Sequence, residues 1–149
     1  MKLSPNFTLE ELTHSDLASR KGWDNTPNAQ ETANLKRLAN FLEAVRTIVG
    51  KPIYINSGYR SKVLNDALGS NDRSYHRHGC AADIRVASMT PKEVVKKLIA
   101  SGLDYDQVIQ EFSTPQGGGW THIAITLYEV DKPRRQALII DSTGTRAFA

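Results

Sequence analysis

A chain of 149 residues with 40% hydrophobic and 23% charged residues has the size and balance of one domain able to bury a core without staples, and these values exclude a disordered chain. Its net charge of +3 is mild, and no Lys/Arg stripe interleaved with aromatics marks a nucleic-acid surface. No apolar run approaches bilayer-spanning length, the single cysteine, Cys80, rules out an internal disulfide, and residues 1–6 lack the hydrophobic core of a secretory signal. The expectation is a single domain over residues 1–149, made in a cytoplasm, with no nucleic-acid partner and no membrane insertion.

In chain order, Phe7-Thr8-Leu9-Glu10-Glu11-Leu12 predicts a short helix in which Thr8 caps, Glu11 completes a capping box and Phe7 packs on Leu12. Residues 13–28, with Gly22, Asn25 and Pro27, read as a connecting loop. His14 in it reads as a surface residue, while Trp23 either covers the core or lines a groove. Leu35, Leu38, Leu42, Val45 and Val49 recur at intervals of three and four and predict the longest helix, residues 28–49, ended by Gly50 and Pro52. Lys36, Arg37, Glu43 and Arg46 lie off that stripe, on a solvated face. Residues 52–57 are rich in β-formers and predict the first strand. Ser57-Gly58-Tyr59-Arg60-Ser61 then turns the chain towards a short helix near 63–68 and a polar loop over 69–73.

Along Cys80-Ala81-Ala82-Asp83-Ile84-Arg85-Val86, strand alternation sends Cys80, Ala82, Ile84 and Val86 to one face and Ala81, Asp83 and Arg85 to the other. Cys80 is therefore a small core residue. Thr90-Pro91-Lys92-Glu93 combines an N-cap, a proline at the first helical position and a capping-box glutamate, which predicts a helix to about 101, stopped by Gly102. Residues 105–112 read as a strand, 113–119 as a glycine-rich loop, and 120–127 as the antiparallel neighbour. Residues 136–141 are expected to add an edge strand, and 142–149 form a tail. Strands interrupted by two capped helices, without regular βαβ alternation, predict an α+β fold. Its central, mostly antiparallel sheet comes from strands near 53–57, 80–86, 107–111 and 121–127, with the long helix against one face.

The chemistry concentrates in Ser74-Tyr75-His76-Arg77-His78-Gly79-Cys80-Ala81-Ala82-Asp83. An aspartate entering an apolar strand is costly to bury unless it is paired or bound to a cation. Imidazole and carboxylate suit Zn²⁺, and a catalytic zinc takes three protein ligands plus an open position. His76 and Asp83 supply two, and His122, inside the strand-like run Thr121-His122-Ile123-Ala124-Ile125, is the candidate third. Singly, each histidine is more often a hydrogen-bonded core or surface residue; the combination is more specific.

The pattern Ser-x-His-x-x-Gly-x-Ala-x-Asp, filled by Ser74, His76, Gly79, Ala81 and Asp83, resembles that of the M15 zinc peptidases of bacteria and phages. Trp120 and His122 downstream, and Asn56-Ser57-Gly58-Tyr59-Arg60-Ser61 upstream, extend the resemblance over about residues 7–127. That group comprises D-alanyl-D-alanine carboxypeptidases and peptidoglycan endopeptidases, whose fold is shared with the Hedgehog signalling domain. The resemblance implies a Hedgehog/DD-peptidase-like fold, Zn²⁺ on His76, Asp83 and His122, and a peptidoglycan peptide as substrate. It further implies a phage or prophage lysis (endolysin) or virion enzyme acting at the bacterial cell wall; a monomer is expected. A zinc-binding module without hydrolytic activity is the alternative that the Hedgehog comparison permits.

In many M15 members the base is an acidic residue three positions before the last histidine. Here that position is Gly119. Glu111 is the candidate substitute, because pairing of its strand with the one carrying His122 brings both to the same end of the sheet. The Hedgehog domain has a glutamate after a similar strand. Arg60 is a surface ion pair on its residues alone and a substrate contact on the resemblance, where its guanidinium can grip a carboxylate or amide. Ser74 is expected to orient His76 or bond substrate, Trp120 to form a cleft wall, and His78 to support the ligands rather than join them.

Overall fold

In the computed structural model, which describes residues 1–149, a small pair of strands, β1 (Lys2–Ser4) and β2 (Phe7–Thr8), leads into α1 (Leu9–Thr13), α2 (Asp16–Lys21) and the long α3 (Ala29–Val49). There follow β3 (Ile53–Ser57), α4 (Lys62–Ala67), a 3-10 turn (Tyr75–His78), β4 (Ala81–Val86), α5 (Pro91–Ser101), β5 (Gln107–Glu111), β6 (Trp120–Ala124), β7 (Gln136–Asp141) and β8 (Gly144–Ala147). The capping chemistry decides where α1, α3 and α5 begin. Thr8, Asn28 and Thr90 each accept from the third helical amide, and Glu11, Glu31 and Glu93 reach back to the cap backbone, satisfying two orphan donors at each start. β1 and β2 pair with each other. The remaining strands form one sheet in the order β3-β4-β6-β5-β7-β8. β5 and β7 run parallel; β3–β4, β4–β6, β5–β6 and β7–β8 run antiparallel.

The core lies between the helices and one face of this sheet. Leu35, Leu38, Leu42, Val45 and Val49 of α3 and Val94, Val95 and Leu98 of α5 meet Cys80, Ala82, Ile84, Val86, Val108 and Ile123 in a single cluster of 22 buried residues. A leucine fully removed from water contributes on the order of 2 kcal/mol, so α3's stripe is a principal source of stability. Because alternate residues of β4 face this core, Asp83 is turned to the opposite face, where the candidate site lies.

Several sequence expectations need correction. Residues 16–21, expected as loop, form α2: Ser15 Oγ accepts from Ala18 N at 3.2 Å, Asp16 stands in the first turn, Arg20 and Lys21 in the last, and Gly22 closes it in the left-handed conformation. The glycine and proline of the segment flank the helix instead of breaking it. The strands expected over 105–112 and 120–127 keep ladder pairing only over 107–111 and 120–124. β7 is not an edge strand, since the expected tail folds back as β8 beside it. Arg37 and Glu43 do not occupy a free solvated face. Arg37 Nη2 donates to the Thr126 carbonyl at 2.9 Å, and Glu43 accepts from Ser4 Oγ at 2.6 Å and Asn6 Nδ2 at 2.7 Å, tying the N-terminal strands to α3.

The connection into β7 is held by a buried carboxylate. Asp106, 2% exposed, accepts from Arg134 N at 3.0 Å and from its Nη2 at 2.8 Å. Burial alone would raise the Asp106 pKa, but the Arg134 hydrogen bonds and charge outweigh it and hold the carboxyl below its ordinary value. A depressed carboxylate contributes stability that is complete above its unfolded pKa and lost as pH falls through the folded one. The thermal unfolding midpoint should therefore drop below about pH 4, and in Asp106→Asn that drop should be shallower. At pH 7 the same substitution should cost on the order of 1–3 kcal/mol, read from denaturant titration.

Candidate metal centre

Strand register assembles the site. Asp83 on β4 lies directly opposite His122 on β6, which in turn faces Ile109 on β5. Directly opposed residues present their side chains on the same face. His76 arrives from the 3-10 turn that Gly79 ends at φ +77°, packed so closely on α3 that an added Cβ would lie 2.8 Å from the Glu31 carbonyl. Only glycine meets both demands without strain. A register shift in β3 between Ile55 and Ser57 delivers the Gly58 carbonyl, which lies 2.8 Å from His76 Nδ1. A carbonyl can only accept, so Nδ1 carries the proton and Nε2 turns its lone pair to the site.

Three donor atoms converge there. His76 Nε2 is 3.4 Å and His122 Nδ1 3.0 Å from Asp83 Oδ1, and all three ligand atoms lie within 4.8 Å of one another. Zinc bonds of about 2.0–2.1 Å place tetrahedral ligand atoms about 3.3 Å apart, so the two contacts to Asp83 have the spacing that a tetrahedral ion requires. The hydrogen bond from His76 to a backbone carbonyl is the support that metal-bound histidines ordinarily have. The residues fit a zinc ion.

Electrostatics agree with that fit. Burial pushes the His76 pKa down, favouring the neutral imidazole that ligates metal. Burial alone would raise Asp83, but His76 and His122 around it hold the carboxyl well below the usual range. Arg60 Nη2 approaches Asp83 Oδ2 at 3.4 Å, while its Nε donates to Ser57 Oγ at 3.2 Å. Burial lowers the Arg60 pKa, opposed by the Asp83 and Glu111 charges.

The triad opens into a cleft of about 570 Å³ whose lining includes Arg60, Ser74, Glu111 and Trp120. Glu111 stands opposite Trp120 on the β5–β6 ladder, and its Oε2 accepts from the indole Nε1 at 3.0 Å. Burial and then the nearby Asp83 charge raise the Glu111 pKa. Ser74 caps the 3-10 turn without a side-chain hydrogen bond. His78 supports no ligand; its ring lies 2.9 Å from the Asp72 carbonyl. Trp23 stays outside the cleft lining, and His14 pairs with Asp16 at the surface. Sequence reasoning missed Glu31, Tyr59 and Arg77, which form a hydrogen-bonded group behind His76. The apolar stripe of residues 28–49 does not single out Glu31, and no local signal joins it to residues 28 and 46 positions away.

Three side chains able to hold a metal ion thus share one open cleft with the Glu111 carboxylate. The family profile described as Peptidase M15 matches residues 5–124, and the chain belongs to that family. The zinc D-Ala-D-Ala carboxypeptidase of Streptomyces albus G is 34% identical to it over 86 residues, covering 56% of this chain and 32% of that protein. The chain thus matches about a third of the length of that curated relative.

Backbone geometry explains why position 119 carries no acid. Gly119 has φ +83°, and an added Cβ would lie 2.2 Å from the Glu111 carbonyl oxygen and 2.5 Å from the Phe112 carbonyl carbon. Phe112 itself has φ +52°, and its ring packs 5.5 Å from that of Trp120. Gly119→Ala should destabilise the protein by on the order of 2–4 kcal/mol, from positive φ and backbone overlap together. Chemical denaturation checks this; a loss within the range of ordinary surface substitutions would show that the close approach is not a constraint.

Proposed function

We propose that this protein is a zinc-dependent peptidase that hydrolyses peptide bonds in the stems or crosslinks of bacterial peptidoglycan, working at the cell wall as a monomeric single domain with a Hedgehog/DD-peptidase-like fold. The observation that carries the reading is the convergence of His76 Nε2, Asp83 Oδ1 and His122 Nδ1 in the same cleft as Glu111. Membership of the M15 family and the name of the Streptomyces relative support the substrate class.

His76, Asp83 and His122 would hold the ion. Zinc, when bound, supplies Lewis-acid polarisation of the scissile carbonyl and a water acidified to a pKa of about 7. Glu111 is the general base. Trp120 occupies its Oε2 and leaves Oε1 to take a proton from the attacking water and hand it to the leaving amine. The raised pKa of Glu111 suits a group that must both accept and release that proton. Arg60, already on the Asp83 side of the cleft, faces the oxygen that gains negative charge or a neighbouring substrate carboxylate, where a guanidinium can donate in fork geometry. Ser74 and Trp120 line the path of the peptide.

Purified protein incubated with cell walls should contain stoichiometric zinc and release new amino termini, and mass spectrometry of the digest identifies the bond cut. Zinc without release would favour a metal-binding module of the same family that does not hydrolyse. His122→Ala should lose zinc and turnover together. Glu111→Gln keeps shape and a hydrogen bond but not basicity, so folding and zinc content should persist while turnover falls about 10²–10⁴-fold. Wild-type turnover by Glu111→Gln would remove Glu111 from the mechanism, and tight zinc retained by His122→Ala would remove His122 from the ligand set.

A further inference from the structure

The hydrogen bond that orients His76 joins two segments far apart in the chain, the end of β3 at Gly58 and the 3-10 turn at His76. The residues that follow each partner, Tyr59 and Arg77, both reach one carboxylate on a third segment. Glu31, in the first turn of α3, accepts from Tyr59 Oη at 3.0 Å through Oε1 and from Arg77 Nη1 through Oε2. We infer that Glu31 is a positioning residue for the metal centre: it clamps the Gly58 and His76 segments together and so sets the ring orientation and tautomer of a zinc ligand that it does not touch.

The surroundings are built for that role. Glu31 has a side chain only 10% exposed, while that of Arg77 is 24% exposed. Burial would raise the Glu31 pKa, but the Asn28 amide, Arg77 and Tyr59 outweigh it and keep the carboxylate ionised. Burial and Glu31 push the Tyr59 phenol up to about 12, so it remains a donor. The two clamped segments are also cross-linked directly, Arg60 N donating to the His76 carbonyl at 3.0 Å, and α3 grips the turn again where Asn34 Nδ2 donates to the His78 carbonyl at 2.9 Å. Tyr59 N donates to the Leu12 carbonyl at 2.7 Å, fixing the Gly58 side against α1. The carboxylate therefore closes a frame around the hydrogen bond of His76, and removing it leaves Arg77 and Tyr59 without their common partner. The direct partner of His76 is the Gly58 carbonyl, and partners that bond a metal ligand affect the affinity of the site for its metal; Glu31 acts one step further out, through the side chains of Tyr59 and Arg77.

A simpler role for Glu31 is capping, because it completes the capping box of α3 with Asn28. The two roles separate by mutation. Arg77→Met cuts the link to the metal turn and leaves the cap intact, whereas Asn28→Ala weakens the cap and leaves the link intact. The inference rests on zinc binding by the proposed triad, and the readouts are zinc affinity of the whole chain by chelator competition, the visible spectrum of the cobalt-substituted protein, and the unfolding temperature.

Glu31→Gln should weaken zinc by up to about 10-fold, the lower end of what loss of a ligand's own partner costs. Arg77→Met and Tyr59→Phe should each weaken it by less, with an altered cobalt band in Arg77→Met. Asn28→Ala should lower the unfolding temperature while zinc affinity stays that of the wild type. If Glu31→Gln does not fold, Arg77→Met, whose side chain reaches the surface, decides. Wild-type zinc affinity in the folded clamp variants overturns the inference, as does a loss in Asn28→Ala equal to that in Arg77→Met. Absence of zinc from the wild-type chain would instead overturn the metal site itself, and the clamp with it.

Discussion

A carboxylate buried in the middle of a sheet is the constraint on which this protein is built. β4 is buried at every position but Arg85, and Asp83 sits within it. Taking an unpaired carboxylate out of water costs several kcal/mol even after relaxation, so the residues around Asp83 must supply positive charge or hydrogen-bond donors. Arg60 from the turn after β3 and His122 from the neighbouring strand approach it in that role, while His76 from the 3-10 turn before β4 brings the Nε2 lone pair to the same point. The place of β4 between β3 and β6 makes this possible, because each neighbour brings one partner to the same point. A divalent cation held by Asp83 and the two imidazoles meets the same electrostatic demand more fully than Arg60 does alone. The metal fit and the stability of the sheet thus have a common origin.

The geometry on the other wall of the cleft follows from the β5–β6 hairpin. Its glycine loop brings Gly119 against the Glu111 and Phe112 backbone, with Phe112 itself in the left-handed region. Non-glycine residues with positive φ are held there only where the surroundings demand it. The tight return puts Trp120 opposite Glu111 and its indole N–H on the carboxylate. A side chain at 119 is sterically excluded, and the Glu111 carboxylate lines the cleft from the partner strand.

α3 links core and site. Its apolar stripe anchors the sheet from Leu35 to Val49, and its first two turns carry Glu31 and Asn34 to the underside of the 3-10 turn. A helix packed along its length moves as a rigid body, so side chains fixed at its start give the His76 loop a firm support. The contact of Gly79 with the Glu31 backbone shows how closely the two approach, and why the residue between the metal turn and β4 must lack a side chain.

Local pattern determined a great deal of this protein. The capping boxes at Thr8 and Thr90, the leucine stripe of α3 and the alternation of β4 are short-range signals, each decided by neighbours within four residues, and the observed elements follow them. The motif spacing around His76, Gly79 and Asp83, with His122 downstream, also sufficed to point to the M15 family. What remained hidden depended on partners distant in the chain. α2 was hidden because Gly22, Asn25 and Pro27 dominate the reading of its segment, and β8 because its strand character comes from pairing with β7 and not from its own composition. The parallel β5–β7 pairing, the Arg37 contact with Thr126, the approach of Gly119 to Phe112 and the sharing of Glu31 by Tyr59 and Arg77 all join residues with no local relation. Periodicity shows which face a residue takes; only the tertiary structure decides what that face meets, because register and packing are set by the whole sheet at once.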